Sequence, residues 1–171
     1  MTLTHIRESI RRAVEYLSAN PEKSRSRDGA ASAQIVDGLK VQVQGPRGES
    51  VVSDMPKSVG GGGTAPTPGW LMRAAIASCD ATVIAMRAAQ EGIELSDLEV
   101  VVDSESDDRG LLGMDESVPP GPIGVEIRVR IAAEGIPAEQ LRGIVEWAMK
   151  HSPVPDAVGR AVPIRVKVET P

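Results

Sequence analysis

Few side chains in this chain can do covalent chemistry, and the first of them is a sulfur. Cys79 is the one cysteine among 171 residues. It stands in Pro68-Gly-Trp-Leu-Met-Arg-Ala-Ala-Ile-Ala-Ser-Cys-Asp80, a short way after the glycine run Gly60–Gly63. A lone thiol can attack an electrophile, or it can serve as a small buried apolar group. Attack requires thiolate, which needs positive charge or a helix N-terminus close by. Cys79 lies eleven residues past Pro68, too deep for a helix dipole to help. Its neighbours three and four positions away, Ala75, Ile76, Thr82 and Val83, carry no charge, and Asp80 beside it is an anion. Only a cation brought in by the fold could hold a thiolate, so reactive sulfur and inert spacer both stay open at this point.

The other candidates are weaker. His5 and His151 are the only histidines, and neither has companion ligands at metal-binding spacing, so no metal and no cofactor are expected. His151, Ser152 and Asp156 are the residue types of a hydrolase triad. Adjacent helical side chains point about 100° apart, however, and the chain has no Gly-x-Ser-x-Gly elbow. The glycine run lacks a following Lys-Ser/Thr and is not a phosphate-binding loop; a hinge or close backbone packing explains it better. The acidic run Asp103–Asp108 reads as a solvated loop, and Met55, Met72, Met86 and Met114 as gap fillers.

Composition removes whole classes of function. A net charge of −5 without a basic run speaks against nucleic acid. One cysteine cannot form an intramolecular disulfide, which rules out a disulfide-stapled scaffold. Residues 1–20 carry Arg7, Arg11 and Arg12 and no following apolar stretch, unlike a secretory signal. Residues 70–89 are apolar at fifteen of twenty positions, but Arg73, Asp80 and Arg87 interrupt them, so no membrane span is expected. The expectation is a soluble, cytoplasmic protein. With two Trp, one Tyr and no Phe, its core must be aliphatic.

The elements that position Cys79 follow from periodicity. Ile6, Ile10, Ala13, Val14 and Leu17 predict an amphipathic helix over 4–18, followed by a polar linker; residues 1–28 form an appendage to a domain spanning 29–171. Alternation predicts strands over 31–36 and 39–43 joined at Asp37-Gly38, and a third over 49–53. A loop over 55–68 leads into a long helix, Pro68 to Glu91, stopped by Gly92. Strands near 97–104 and 123–132 flank an acidic, Pro/Gly-bearing loop, 105–122, longer than structureless loops usually are. A second core helix over 137–151, a short turn or helix at 154–160 and a last strand through Ile164, Val166 and Val168 complete the chain. Segregated strands and helices indicate α+β with an antiparallel sheet. So few strands cannot wrap so apolar a central helix, which calls for an intertwined homodimer.

These residues resemble the OsmC/Ohr family of thiol-dependent hydroperoxide reductases over roughly 30–170. The anchors are Gly63-Thr-Ala-Pro-Thr-Pro68, then Ala74-Ala75-Ile-Ala-Ser-Cys79, and later His151-Ser-Pro-Val154. The resemblance implies an α+β OsmC-like fold with a long central helix bearing the cysteine, a second core helix, and a homodimer. It also implies that Cys79 is the catalytic thiol, attacking the O–O bond of an organic hydroperoxide. The family's glutamate falls on Gly69 and its resolving cysteine on Ser152. Its arginine has no counterpart among Lys40, Arg27 and Arg47. A divergent, one-cysteine peroxidase or redox sensor of oxidative stress, dependent on an external thiol reductant, is one reading. A non-catalytic small-molecule-binding protein on the same fold is a second. A structural or interaction protein using the N-terminal helix is the third.

Overall fold

The computed structural model describes residues 2–160 and 162–170. Helix α1 (Leu3–Ala19) opens the chain, with the Thr2 hydroxyl accepting from the His5 N–H as its cap. Strands β1 (Ser32–Asp37), β2 (Lys40–Gln44) and β3 (Ser50–Ser53) form one antiparallel sheet in that order. Helix α2 runs from Pro68 to Glu91. It is followed by β4 (Asp97–Glu105), the short α3 (Asp108–Leu111), β5 (Gly124–Ala132), α4 (Ala138–Met149) and α5 (Pro153–Gly159). Strands β4 and β5 make a second, two-stranded antiparallel sheet. The α+β class and its antiparallel pairing are as the sequence led us to expect.

The boundaries of α2 have local causes. The Thr67 hydroxyl accepts from the Trp70 N–H at 3.1 Å, and Pro68 fills the first helical position. Gly92 closes the other end at φ +74°, a left-handed conformation that costs glycine little. The core lies where α2, α4 and the β4–β5 sheet meet: Ile84, Ala88, Ile93, Leu141, Ile144 and Ala148 are buried together. Val100 pairs with Val129 and Leu98 with Ile131 on the face turned to these helices. On the other face, Arg128 pairs with Asp103 at 2.6 Å and Arg130 with Asp97 at 2.9 Å. The period of two seen in the sequence is thus the division between core and solvent.

The three-stranded sheet behaves differently. Every residue of β1 is exposed, Ile35 at 73%, and the sheet packs chiefly on itself. Helix α1 docks on α2, yet only Leu3, Ile6 and Ile10 of its apolar residues are partly covered, while Val14 and Leu17 stay exposed.

Two expectations are corrected. Residues 162–170 form no strand: Ile164, Val166 and Val168 are 88%, 80% and 81% exposed. A strand exists by laddering with another, and no described strand of this chain pairs with the segment. The acidic run 103–108 and the segment 105–122, both read as loop, also contain regular structure. Residues 103–105 belong to β4, and Asp107 caps α3 by accepting from the Arg109 N–H at 3.0 Å and pairing with the Arg109 guanidinium.

Candidate functional site

Two polar centres flank the first half of α2, and they are built in opposite ways. Just before the helix, Asp54 is 2% exposed. The backbone N–H groups of Met55, Gly62 and Thr64 donate to its carboxylate at 2.8, 3.2 and 3.0 Å, and the Thr64 hydroxyl donates at 2.9 Å. These bonds, the Thr64 N–H foremost, hold the Asp54 carboxyl below the usual carboxylate range against the opposing effect of burial. The glycine run is the price of that wrapping. A Cβ on Gly61 would lie 1.9 Å from the Met55 carbonyl oxygen, and Gly60 and Gly63 take φ values of +90° and +63°. The run is therefore a backbone cradle for a side chain of the chain itself.

The second centre lies eleven residues into α2. Cys79, Val83, Met86 and Gln90, spaced four, three and four apart, form one stripe of the helix. They line a cavity of about 460 Å³ whose opposite wall includes Trp147 and His151. The His151 ring stacks on Trp147 with centroids 3.9 Å apart and planes at 11°. Its Nδ1 lies 2.6 Å from the Trp147 carbonyl oxygen. A carbonyl only accepts, so Nδ1 carries the hydrogen and the neutral ring's lone pair sits on Nε2. Arg87 adds a cation over the Trp147 ring, 4.8 Å from its centroid, and pairs with Glu91 at 2.8 Å. Cys79 itself is partly exposed.

Asp80 turns the other way, into the protein. It is fully buried, and neither carboxylate oxygen has a hydrogen-bond partner among the described residues. Burial pushes its pKa up, while the nearby Ser152 hydroxyl pulls it down without forming a bond of acceptable geometry. Ser152 is 1% exposed, and its hydroxyl is equally unpartnered. Ser152 therefore faces the Asp80 side of the helix and does not line the Cys79 cavity.

The remaining sequence candidates lie apart. Gly69 borders a different cavity of about 470 Å³ with Met72, Arg73 and Ser104, where Arg73 Nη1 donates to the Ser104 hydroxyl at 3.1 Å. Trp70 is exposed and does not line it. Arg27 and Arg47 border a hollow of about 660 Å³ beside the β2–β3 turn, and Lys40 borders the Asp54 loop. None of the three lines the Cys79 cavity. His5 is on α1, and the Asp156 carboxylate is taken up by Arg160 at 2.8 Å, so the hydrolase triad is not assembled. Sequence reasoning missed His151 and Trp147 as neighbours of the thiol. Their spacing of four residues, which puts two side chains on one helix face, was the available signal. Among the described residues no group of three or more His, Cys, Asp or Glu could hold a metal, and no helix is long and apolar enough to cross a membrane.

A three-stranded sheet followed in the chain by a long cysteine-bearing helix and a helix-backed hairpin defines a class of small α+β proteins. The family model for OsmC-like protein matches residues 60–167, and the chain belongs to that family. Solved structures agree on the fold. An OsmC-like protein from Mycoplasma pneumoniae is 11% identical with a TM-score of 0.67, the match covering 80% of this chain and 91% of that one. An organic hydroperoxide resistance protein OsmC from Legionella pneumophila is 20% identical with a TM-score of 0.58, over 79% and 91%. An organic hydroperoxide resistance protein from Elizabethkingia anophelis is 18% identical with a TM-score of 0.58, over 79% and 90%. Among curated proteins none matches.

Proposed function

We propose that this OsmC-like protein is a one-cysteine, thiol-dependent organic hydroperoxide reductase or redox sensor of the oxidative stress response, with Cys79 as the reacting group. The observation that carries the reading is that Cys79 opens into a largely apolar cavity of about 460 Å³ instead of packing in the core. Met86, Val83 and Trp147 would receive the organic part of a hydroperoxide, leaving its O–O bond near the sulfur. The sulfur attacks the terminal oxygen, the O–O bond breaks, and Cys79 becomes a sulfenic acid as the peroxide is reduced to an alcohol. Ser152 cannot form a disulfide, so an external thiol must return the sulfenic acid to thiol. Hydroperoxide consumption with a small thiol as reductant tests this: wild type should turn over and Cys79→Ser should not. Equal turnover by the two would end it.

The second reading, a non-catalytic small-molecule-binding protein, draws on the cavity beside Gly69 and Arg73, which has no cysteine in its lining. Measurable binding there with an inert Cys79 would favour it. Under either reading we propose a cytoplasmic homodimer. Ile164, Val166 and Val168 alternate on an unpaired segment, and β1 is exposed throughout, so a second copy would cover apolar surface that one chain leaves bare. Removal of residues 162–171 should convert the dimer to monomer in sedimentation; a monomeric full-length chain would contradict the proposal.

A further inference from the structure

We infer that His151 is the acid–base partner of Cys79, carrying the thiol proton to the departing oxygen of the hydroperoxide. The inference rests on the peroxidase reading and adds the residue that reading lacks. Thiol attack on a hydroperoxide releases an alkoxide, a poor leaving group unless it is protonated as the O–O bond breaks. In this cavity His151 is placed for the task. It lines the same cavity of about 460 Å³ that Cys79 opens into, a space that would hold the hydroperoxide against both side chains.

The imidazole is also held in a useful state. Stacking on Trp147 fixes its plane, and the Nδ1–H bond to the Trp147 carbonyl fixes its tautomer, so the free lone pair is on Nε2. The other polar groups of the cavity are less available. The Thr82 hydroxyl donates to the Ser78 carbonyl at 2.7 Å and the Ser78 hydroxyl to the Ala75 carbonyl at 3.1 Å. Gln90, whose side-chain oxygen is buried without a partner, can accept a hydrogen bond from a ligand but cannot relay a proton at neutral pH. No Lys or Arg lines the cavity.

The step balances. Nε2 takes the proton of the Cys79 thiol as the sulfur–oxygen bond forms and the O–O bond breaks, then gives it to the alkoxide. Thiol and hydroperoxide become sulfenic acid and alcohol; sulfur loses two electrons and the peroxide gains them. Two equivalents of an external thiol then restore Cys79 as water and a disulfide of the small thiol leave.

The test compares full-length wild type and His151→Gln in two single-turnover reactions of Cys79. The reaction with cumene hydroperoxide needs a proton on its leaving group, and alkylation by iodoacetamide does not. His151→Gln should slow the hydroperoxide reaction by about 100-fold, slow alkylation by a much smaller factor, and lose one limb of the pH–rate profile. Added imidazole should restore part of the hydroperoxide rate. Equal hydroperoxide rates and pH profiles in the two proteins overturn the inference while leaving the peroxidase reading intact. A parallel fall in both reactions without imidazole rescue also overturns it, because His151 then only shapes the cavity. If wild-type Cys79 does not react with the hydroperoxide at all, the reading and the inference fall together.

Discussion

Asp54 and Asp80 are two buried carboxylates on either side of one helix start, and they have opposite surroundings. Asp54 receives four hydrogen bonds from a loop shaped around it. Asp80, one residue from the thiol, receives none from the described residues and faces an equally unpartnered Ser152. Buried polar groups in proteins are nearly always satisfied, and the exceptions concentrate where structure has been traded for chemistry. The loop that the glycine run draws attention to is therefore architecture. The middle of α2, where the sequence shows only small residues and one cysteine, is where polar groups are left with unused capacity.

The strongest blow to the first region is Gly61→Ala, whose Cβ would meet the Met55 carbonyl. It should destabilise the fold by about 3 kcal/mol or more, read as a lower denaturation midpoint with an unchanged slope. Asp54→Ala should act in the same direction and less severely, and its effect should depend on pH. The folded-state pKa of Asp54 is lowered, so its contribution is present above the unfolded value and lost as pH falls through the folded one. Wild type and variant should thus differ at neutral pH and converge in acid. Asp80→Asn should have the reverse sign. The folded-state pKa of Asp80 is raised, so stability is intact below the unfolded value and lost as pH rises through the folded one. Removing the charge should stabilise the protein by about 1–2 kcal/mol at neutral pH and by little in acid. Urea melts across pH would show it; a destabilised Asp80→Asn at neutral pH would mean the charge has a partner and would erase the contrast.

Much of this was legible in the chain. Helical periodicity, Pro68 and Gly92 placed α2 at its observed limits, and alternation placed β1, β2, β4 and β5 to within two residues. The last strand was not legible as an absence, because alternation at Ile164, Val166 and Val168 reports a wish for a partner and not which chain supplies it. The Asp54 cradle was missed because it is closed by backbone N–H groups eight and ten residues away, which no side-chain pattern encodes. At the site, Cys79 stood out by its type, and neighbours on its own helix could be counted. The approach of Trp147 and His151 depends on how α4 packs against α2, a tertiary fact.

The central claim is that Cys79 reacts. Intact mass of the reduced protein, taken after a stoichiometric dose of an organic hydroperoxide beside hydrogen peroxide and a Cys79→Ser control, tests it most directly. The account predicts rapid addition of one oxygen that requires Cys79, or a mixed disulfide when a small thiol is present. No modification of wild type over minutes would contradict it and leave the cysteine a resting part of the helix.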